Sequence, residues 1–235
     1  MGRHFEVRAA SMAASAAKKS AIYMRASKEI YVAAKSGTPD PNSNLALRTA
    51  IEKYRKTTPK DVIDRAIKKA QGTESETYIS GRYEAFGPGG SFLIIDTLTD
   101  NVNRALVDVR TAVTRKGGHL GSVAFNFEQL GIFDFYGDEA LKDAAEEALI
   151  MNDVDLKEIS LEDGIIEVIV GPSDFAKAKD ELIKLEIPEF EQAMVAMIPN
   201  DKITLEGDDV QKFRDLLDSL DEVGDVQEVY HNVNL

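Results

Sequence analysis

GIFDFYGDEALKDAAEEALIMNDVDLKEISLEDGIIEVIVGPSDFAKAKDELIKLEIPEFEQAMVAMI, residues 131–198, contains one complete cycle of secondary structure. Alternating apolar residues over Ile132 to Tyr136 predict a strand, and the helical period takes over from Glu139 to Met151. Two short strands follow near Leu156 to Leu161 and at Ile165 to Val170, then a helix from Ser173 to Leu185 and a strand from Gln192 to Ile198. The order βαββαβ is that of a ferredoxin-like domain.

The flanks do not close on themselves. Downstream, a helix from Asp208 to Leu220 and a strand from Val226 to Val233 have no partner in the completed cycle. Upstream, Arg82 to Phe86, the turn Gly87-Pro88-Gly89-Gly90 and Phe92 to Thr97 read as a hairpin. A helix from Val102 to Lys116 and a strand at Val123 to Phe127 follow, and this block lacks a closing helix and strand. The tail supplies both, so residues 131–203 are expected to be an acidic ferredoxin-like insertion in a domain made of 78–130 plus 204–235. The fold class expected is α+β, with residues 1–77 forming a separate basic three-helix domain.

In that first block Ile22, Ala26, Ile30 and Ala33 share one helical stripe, with Arg25, Lys28 and Lys35 roughly opposite. Gly37-Thr38-Pro39-Asp40-Pro41-Asn42 breaks the period, and Leu47, Ala50, Ile51 and Tyr54 resume it. A third helix is expected after Thr58 as N-cap and Pro59 at N1, with Ile63, Ala66, Ile67 and Ala70 inward and Gly72 past its end. The first 28 residues have Glu6 as their sole acid, a superficial likeness to a mitochondrial transit peptide. The apolar period runs unbroken from this segment into the next helix, which argues for structure instead.

Charge is sorted along the chain. Lys and Arg against Asp and Glu number 15 to 8 over residues 1–76, 5 to 5 over 77–130 and 8 to 28 over 131–235, within a net charge of −13. A basic end suits a polyanionic partner, because Lys and Arg displace the counterions condensed on phosphates. The acidic end is expected to point away. The candidate nucleic-acid-binding residues are Arg3, Arg8, Lys18, Lys19, Arg25, Lys28, Lys35, Lys53, Arg55, Lys56, Lys60, Lys68 and Lys69, with Arg104 and Arg110 from the middle helix. Tyr23, Tyr31 and Tyr54 could stack on bases, although their helical spacing also fits a core.

Other chemistry finds little support. The chain has no cysteine, which removes disulfides and thiolate catalysis. No apolar run approaches a membrane span; the longest, Phe92 to Leu98, is interrupted by Asp96. His4, His119 and His231 are too scattered for a metal site. The glycines at 87–90 lack a phosphate-loop pattern, and Gly117-Gly118 read as a helix C-cap. Asp100 and Asn101 read as capping residues. Acid pairs such as Glu146-Glu147 and Asp208-Asp209 fall on solvated helix faces, so no catalytic residue, metal or cofactor is expected.

The strings DPNSNLALRTAIEKYR, PKDVIDRAIKKAQG, GRYEAFGPGGSFLIIDTLTDNVNRALVDVR and DVQEVYHNV resemble the YebC/PmpR/TACO family. The opening MGR together with TLTDNVNR is similar to its YeeN-like bacterial branch. The resemblance runs end to end and implies a basic three-helix domain followed by two α/β domains, one inserted in the other. It also implies a cytoplasmic bacterial protein without a cofactor. Members are commonly described as DNA-binding transcriptional regulators, and others act in translation on the ribosome. Two departures stand out: Ala9-Ala10-Ser11-Met12-Ala13-Ala14-Ser15 replaces a segment usually basic, and the loop after Gly118 is about three residues shorter than in relatives.

The expected function is therefore a non-enzymatic, DNA-binding regulator of gene expression. Its rival is a ribosome-associated translation factor whose same helices contact ribosomal or transfer RNA. Phosphate contacts carry no sequence information, so the residues do not separate the two. A small-molecule sensor or enzyme built on the ferredoxin-like domain ranks below both, because no nucleophile, metal set or cofactor fingerprint is present. An interaction scaffold working through the acidic half is a further alternative. The oligomeric state and the target sequence are not encoded in any motif.

Overall fold

The computed structural model describes residues 16–72, 76–187 and 189–234. Its contacts divide the chain into two compact units, one spanning residues 125–202 and the other running up to Ala124 and resuming over 203–234.

The first unit is a four-stranded antiparallel sheet covered by two helices. Its strands are β4 (Phe127–Tyr136), β5 (Leu156–Glu162), β6 (Ile165–Val170) and β7 (Gln192–Pro199), in the order β5-β6-β4-β7. Helices α5 (Glu139–Met151) and α6 (Phe175–Lys184) complete a ferredoxin-like βαββαβ module. Alternation on β4 and β6 sends Phe133, Phe135, Ile166, Val168 and Val170 to the helix side, where they meet Ala145, Leu149, Ala178 and Leu182. Asp163 and Gly164 take φ of 52° and 79° between β5 and β6, the left-handed pair that a tight two-residue hairpin demands.

One strand differs from expectation. The sequence reads Val123 to Phe127 and Ile132 to Tyr136 as separate strands in different sheets. Instead Ala124–Asn126 is a single 3-10 turn and β4 runs unbroken from Phe127, pairing over 127–134 with Gln192–Pro199. Gly131 conceals this continuity because glycine reads as punctuation; here it lies against Val170 and Phe175, where a Cβ would crowd both.

The second unit holds the remaining sheet, β3-β1-β2-β9, from β1 (Ile79–Phe86), β2 (Phe92–Thr99), β3 (His119–Leu120) and β9 (Val226–His231). A short parallel pair, β8 (Ile203–Thr204) and β10 (Val233–Asn234), lies beside it in sequence. Helices α4 (Val102–Arg115) and α7 (Asp208–Asp221) bury Val109, Val113, Phe213, Leu216 and Leu220 against Leu93, Ile95 and Val226. The tail thus completes this sheet, with β9 antiparallel to β2. Helix α4 is capped at both ends. Asn101 accepts from the Arg104 amide at 3.0 Å, and Gly117 and Gly118 donate back to Thr114 and Val113 with Gly117 at φ 85°.

Three helices precede this sheet: α1 (Ala16–Lys35), α2 (Leu45–Tyr54) and α3 (Lys60–Ala70). Their core contains Ala26, Ile30, Ala33, Leu47, Ala50, Ile63 and Ala66. Asn44 starts α2, accepting from the Leu47 amide at 3.0 Å while donating to the carbonyls of Ala33 and Thr38 at 2.9 and 2.8 Å. Thr58 does not cap α3 as expected. Pro59 occupies the cap position, its carbonyl takes the first helical amides, and the buried Thr58 hydroxyl makes no hydrogen bond. Among the described residues no helix is long and apolar enough to cross a membrane.

Candidate nucleic-acid interface

Helix α1 is small-residue-rich on more than one side, with Ala21, Ala26, Ala33 and Ala34 all buried. Short side chains let neighbours approach closely, and α1 is covered on both flanks. One flank meets α2 and α3. The other, expected from its cations to face solvent, packs against the acidic tail segment.

For residues 204–235 the expectation that the acidic end points away from the basic one is therefore corrected. Lys18 pairs with Asp218; Arg25 donates to the Asp221 carbonyl at 2.9 Å and approaches its carboxylate at 3.4 Å; Lys28 pairs with Asp225. Lys53, from α2, bridges Glu29 and Glu228, each at 2.9 Å. Net charge describes a whole segment, whereas contact is made by individual side chains, so a tail that is acidic overall clamps a basic helix.

Asp225 is the centre of this clamp. Its carboxylate is 5% exposed and accepts from Lys28, from Arg104 at 2.9 and 3.1 Å, and from the Thr99 hydroxyl at 3.0 Å. Lys28 also donates to the carbonyls of Gly224 and Leu98 at 2.9 and 3.3 Å. Burial acts to raise the Asp225 pKa, but hydrogen bonds from Lys28, Arg104 and Thr99 outweigh it and hold the carboxyl below the ordinary aspartate value. Burial likewise opposes charge on Lys53, yet Glu228, Tyr54 and Glu29 hold its ammonium well above the usual lysine value.

The remaining cations face water. Arg55, Lys56 and Lys60 follow one another across the turn from α2 to α3, and all are exposed. At the far end of α3, Lys68 and Lys69 are exposed beside Lys35, which reaches the Ala70 carbonyl at 3.4 Å. Lys60 and Lys69 lie nine positions apart, about 14 Å along the helix. Lys69 pairs with Glu76 at 2.7 Å and Arg65 with Asp61 at 2.8 Å, both pairs substantially exposed. Such pairs contribute about 0–1 kcal/mol and exchange readily. The exposed surface can thus neutralise phosphates, whereas the tail-facing one is already neutralised.

Family models match both parts of the chain: one described as the TACO1/YebC protein N-terminal domain over residues 3–73, another as the TACO1/YebC second and third domain over 78–233. The chain belongs to the TACO1/YebC family. Its fold is similar to the crystal structure of a conserved hypothetical protein from Aquifex aeolicus, 30% identical, with a TM-score of 0.75 over 93% of this chain and 91% of that one.

Within this TACO1/YebC chain the candidate residues separate into classes. Lys18, Arg25, Lys28, Lys53 and Arg104 contact the tail acids, and Arg104 also pairs with Asp100 at 2.6 Å. Lys19, Lys35, Arg55, Lys56, Lys60, Lys68, Lys69 and Arg110 are exposed, with Arg110 on α4 away in sequence from the others. Arg3 and Arg8 lie outside the described residues, as does His4. His119 stacks on Phe86 and His231 packs edge-on to Phe213. No group of potential ligands for a metal occurs among the described residues.

Two kinds of participant were missed. Exposed Arg48 and Arg65 belong with the outward cations, and the i, i+4 spacing of Arg65 and Lys69 was the available signal. Asp218, Asp221, Asp225 and Glu228 had no comparable signal, because their partners lie far away in sequence.

Proposed function

We propose that this TACO1/YebC protein is a non-enzymatic, cytoplasmic regulator of gene expression that binds nucleic acid through the outward cations of α2 and α3. The observation carrying the reading is that Lys60 and Lys68, towards the two ends of α3, are exposed and make no ion pair among the described residues, while exposed Arg55 and Lys56 precede Lys60 across the turn from α2. Counterion release from phosphates gives such a cluster sequence-independent affinity. Family resemblance makes duplex DNA and transcriptional control the leading partner and role. The three-domain division, with residues 1–77 as the binding domain, belongs to the same proposal.

Ribosomal or transfer RNA is the second reading, and one observation favours it. The exposed face of α3 interleaves Asp61 and Asp64 with its cations. A helix inserted in a major groove has phosphates on both sides, where those carboxylates would be repelled; an irregular RNA surface lets them face water. In-cell ultraviolet crosslinking of the tagged protein, with separate DNase and RNase treatment, distinguishes these outcomes. Enriched promoter DNA supports transcriptional control, ribosomal or transfer RNA supports the second reading, and no crosslinked nucleic acid overturns both.

A further inference from the structure

The seam between α1 and α3 is open. Residues 20, 23, 24 and 27 of α1 face residues 62, 65, 66 and 69 of α3, the spacing at which two helices interlock. Ser20, Ser27 and Ala66 are too short to fill the space between the helices. A groove of about 290 Å³ results. Val62, Met24 and the Tyr23 ring provide apolar lining, and Met24 is 44% exposed. Arg65 and Lys69 stand at the α3 side with side chains 72% and 54% exposed. The exposed Lys19 lies one helical turn before Tyr23.

We propose that this groove receives one unpaired nucleotide of a single-stranded nucleic acid, its base against Tyr23 and Met24 and its flanking phosphates on Arg65 and Lys69. The inference rests on the nucleic-acid reading above and adds a base contact to what is otherwise a phosphate surface. Charge complementarity selects the occupant. An apolar slot with a cationic rim suits a ligand that joins a flat ring to an anion, which is the chemistry of a nucleotide. Both rim cations hold exposed carboxylate partners that a phosphate can replace at small cost. A paired base cannot enter, because its faces are stacked within the duplex, whereas single strands present bases to aromatic side chains. Stacking and phosphate contact are blind to the sugar, so RNA and DNA strands both fit.

The test is fluorescence-anisotropy binding of the full chain to a labelled 12-nucleotide RNA, the corresponding single-stranded DNA, and the duplex of each. A 2-aminopurine within each strand reports stacking. Tyr23→Ala is expected to weaken single-strand binding roughly 5- to 100-fold and abolish the 2-aminopurine response, while leaving duplex binding unchanged. Tyr23→Phe should retain both. Ser27→Trp, which fills the groove without removing a cation, should reproduce the Tyr23→Ala result and serves if that variant fails to fold. Lys60→Glu with Lys68→Glu should weaken all four ligands. If Tyr23→Ala and Ser27→Trp bind single strands like the parent while the lysine pair does not, the groove proposal is overturned and the phosphate surface survives. If the parent binds none of the ligands, both fall. Response to one strand type alone overturns the sugar-blind groove.

Discussion

Replacing Asp225 by Asn tests whether a single buried carboxylate fixes the basic helix to the sheet. The change preserves volume and an acceptor for Thr99, but removes the charge facing Lys28 and Arg104. These two cations will not respond equally. Arg104 is 46% exposed and keeps Asp100 at 2.6 Å, so water and that carboxylate compensate it. Lys28 is 13% exposed and would be left with only the carbonyls of Gly224 and Leu98. Removing one partner of a buried pair costs about 3–5 kcal/mol, and because one of the two cations is re-solvated the lower figure applies here. A loss of about 3 kcal/mol corresponds to a fall in Tm of roughly 6–12 °C for a chain of this size. Thermal and urea unfolding of the parent, Asp225→Asn, Lys28→Met and the double variant would measure it. A coupling energy of about 1–3 kcal/mol is expected between the two sites. Effects that add to within about 0.3 kcal/mol would refute the clamp, since independent sites behave that way.

The same geometry makes other outcomes specific. Asp218→Asn with Asp221→Asn releases Lys18 and removes the carboxylate charge beside Arg25, which keeps its bond to the Asp221 backbone carbonyl, so binding to duplex DNA or RNA should tighten and its log-log salt slope steepen by about one; an unchanged slope would show that Lys18 never reaches phosphate. Because the Asp225 carboxyl sits below its unfolded value, the unfolded chain binds more protons at acid pH. Its contribution is complete above the ordinary aspartate value of about 4 and is lost as pH falls through the lower folded value. Unfolding followed between pH 6 and 2 should therefore be less acid-sensitive in Asp225→Asn than in the parent, and parallel curves would contradict this. Asn44→Ala deletes a cap and two donated hydrogen bonds from a buried side chain, and chemical denaturation should record a loss of about 2–3 kcal/mol.

The elements of the ferredoxin-like unit were legible because each follows a local rule. The alternation of Ile132 to Tyr136, the apolar run Ile165 to Val170 and the helical period from Glu139 to Met151 are written within a few residues of where they act. The tail was assignable for a different reason: its unpaired helix and strand required a sheet with a vacant edge. What could not be read was side-chain pairing at a distance. The cations of α1 have the same helical period whether water or Asp218 and Asp221 face them, so amphipathicity alone assigned Arg25 and Lys28 to solvent. Thr58 shows a smaller version of this ambiguity. Ser, Thr and Pro can each begin a helix, and here Pro59 takes the cap position, so the threonine before it has no amide to accept from.

The ion pairs along α1 are graded, and that grading bears on how binding and folding can share one helix. At the first pair Lys18 is 22% exposed and Asp218 61%; at Arg25 and Asp221 the values are 12% and 41%; at Lys28 and Asp225 they are 13% and 5%. Exposed pairs contribute little and yield to a competing anion, whereas an inner pair held by Arg104 and Thr99 does not, because leaving it would strand a buried charge. A polyanion approaching the N-terminal end of α1 can therefore exchange with Asp218 and then Asp221 while Asp225 keeps the helix in register. What governs whether these cations of α1 reach a polyanion is then the cost of exchanging Asp218 and Asp221.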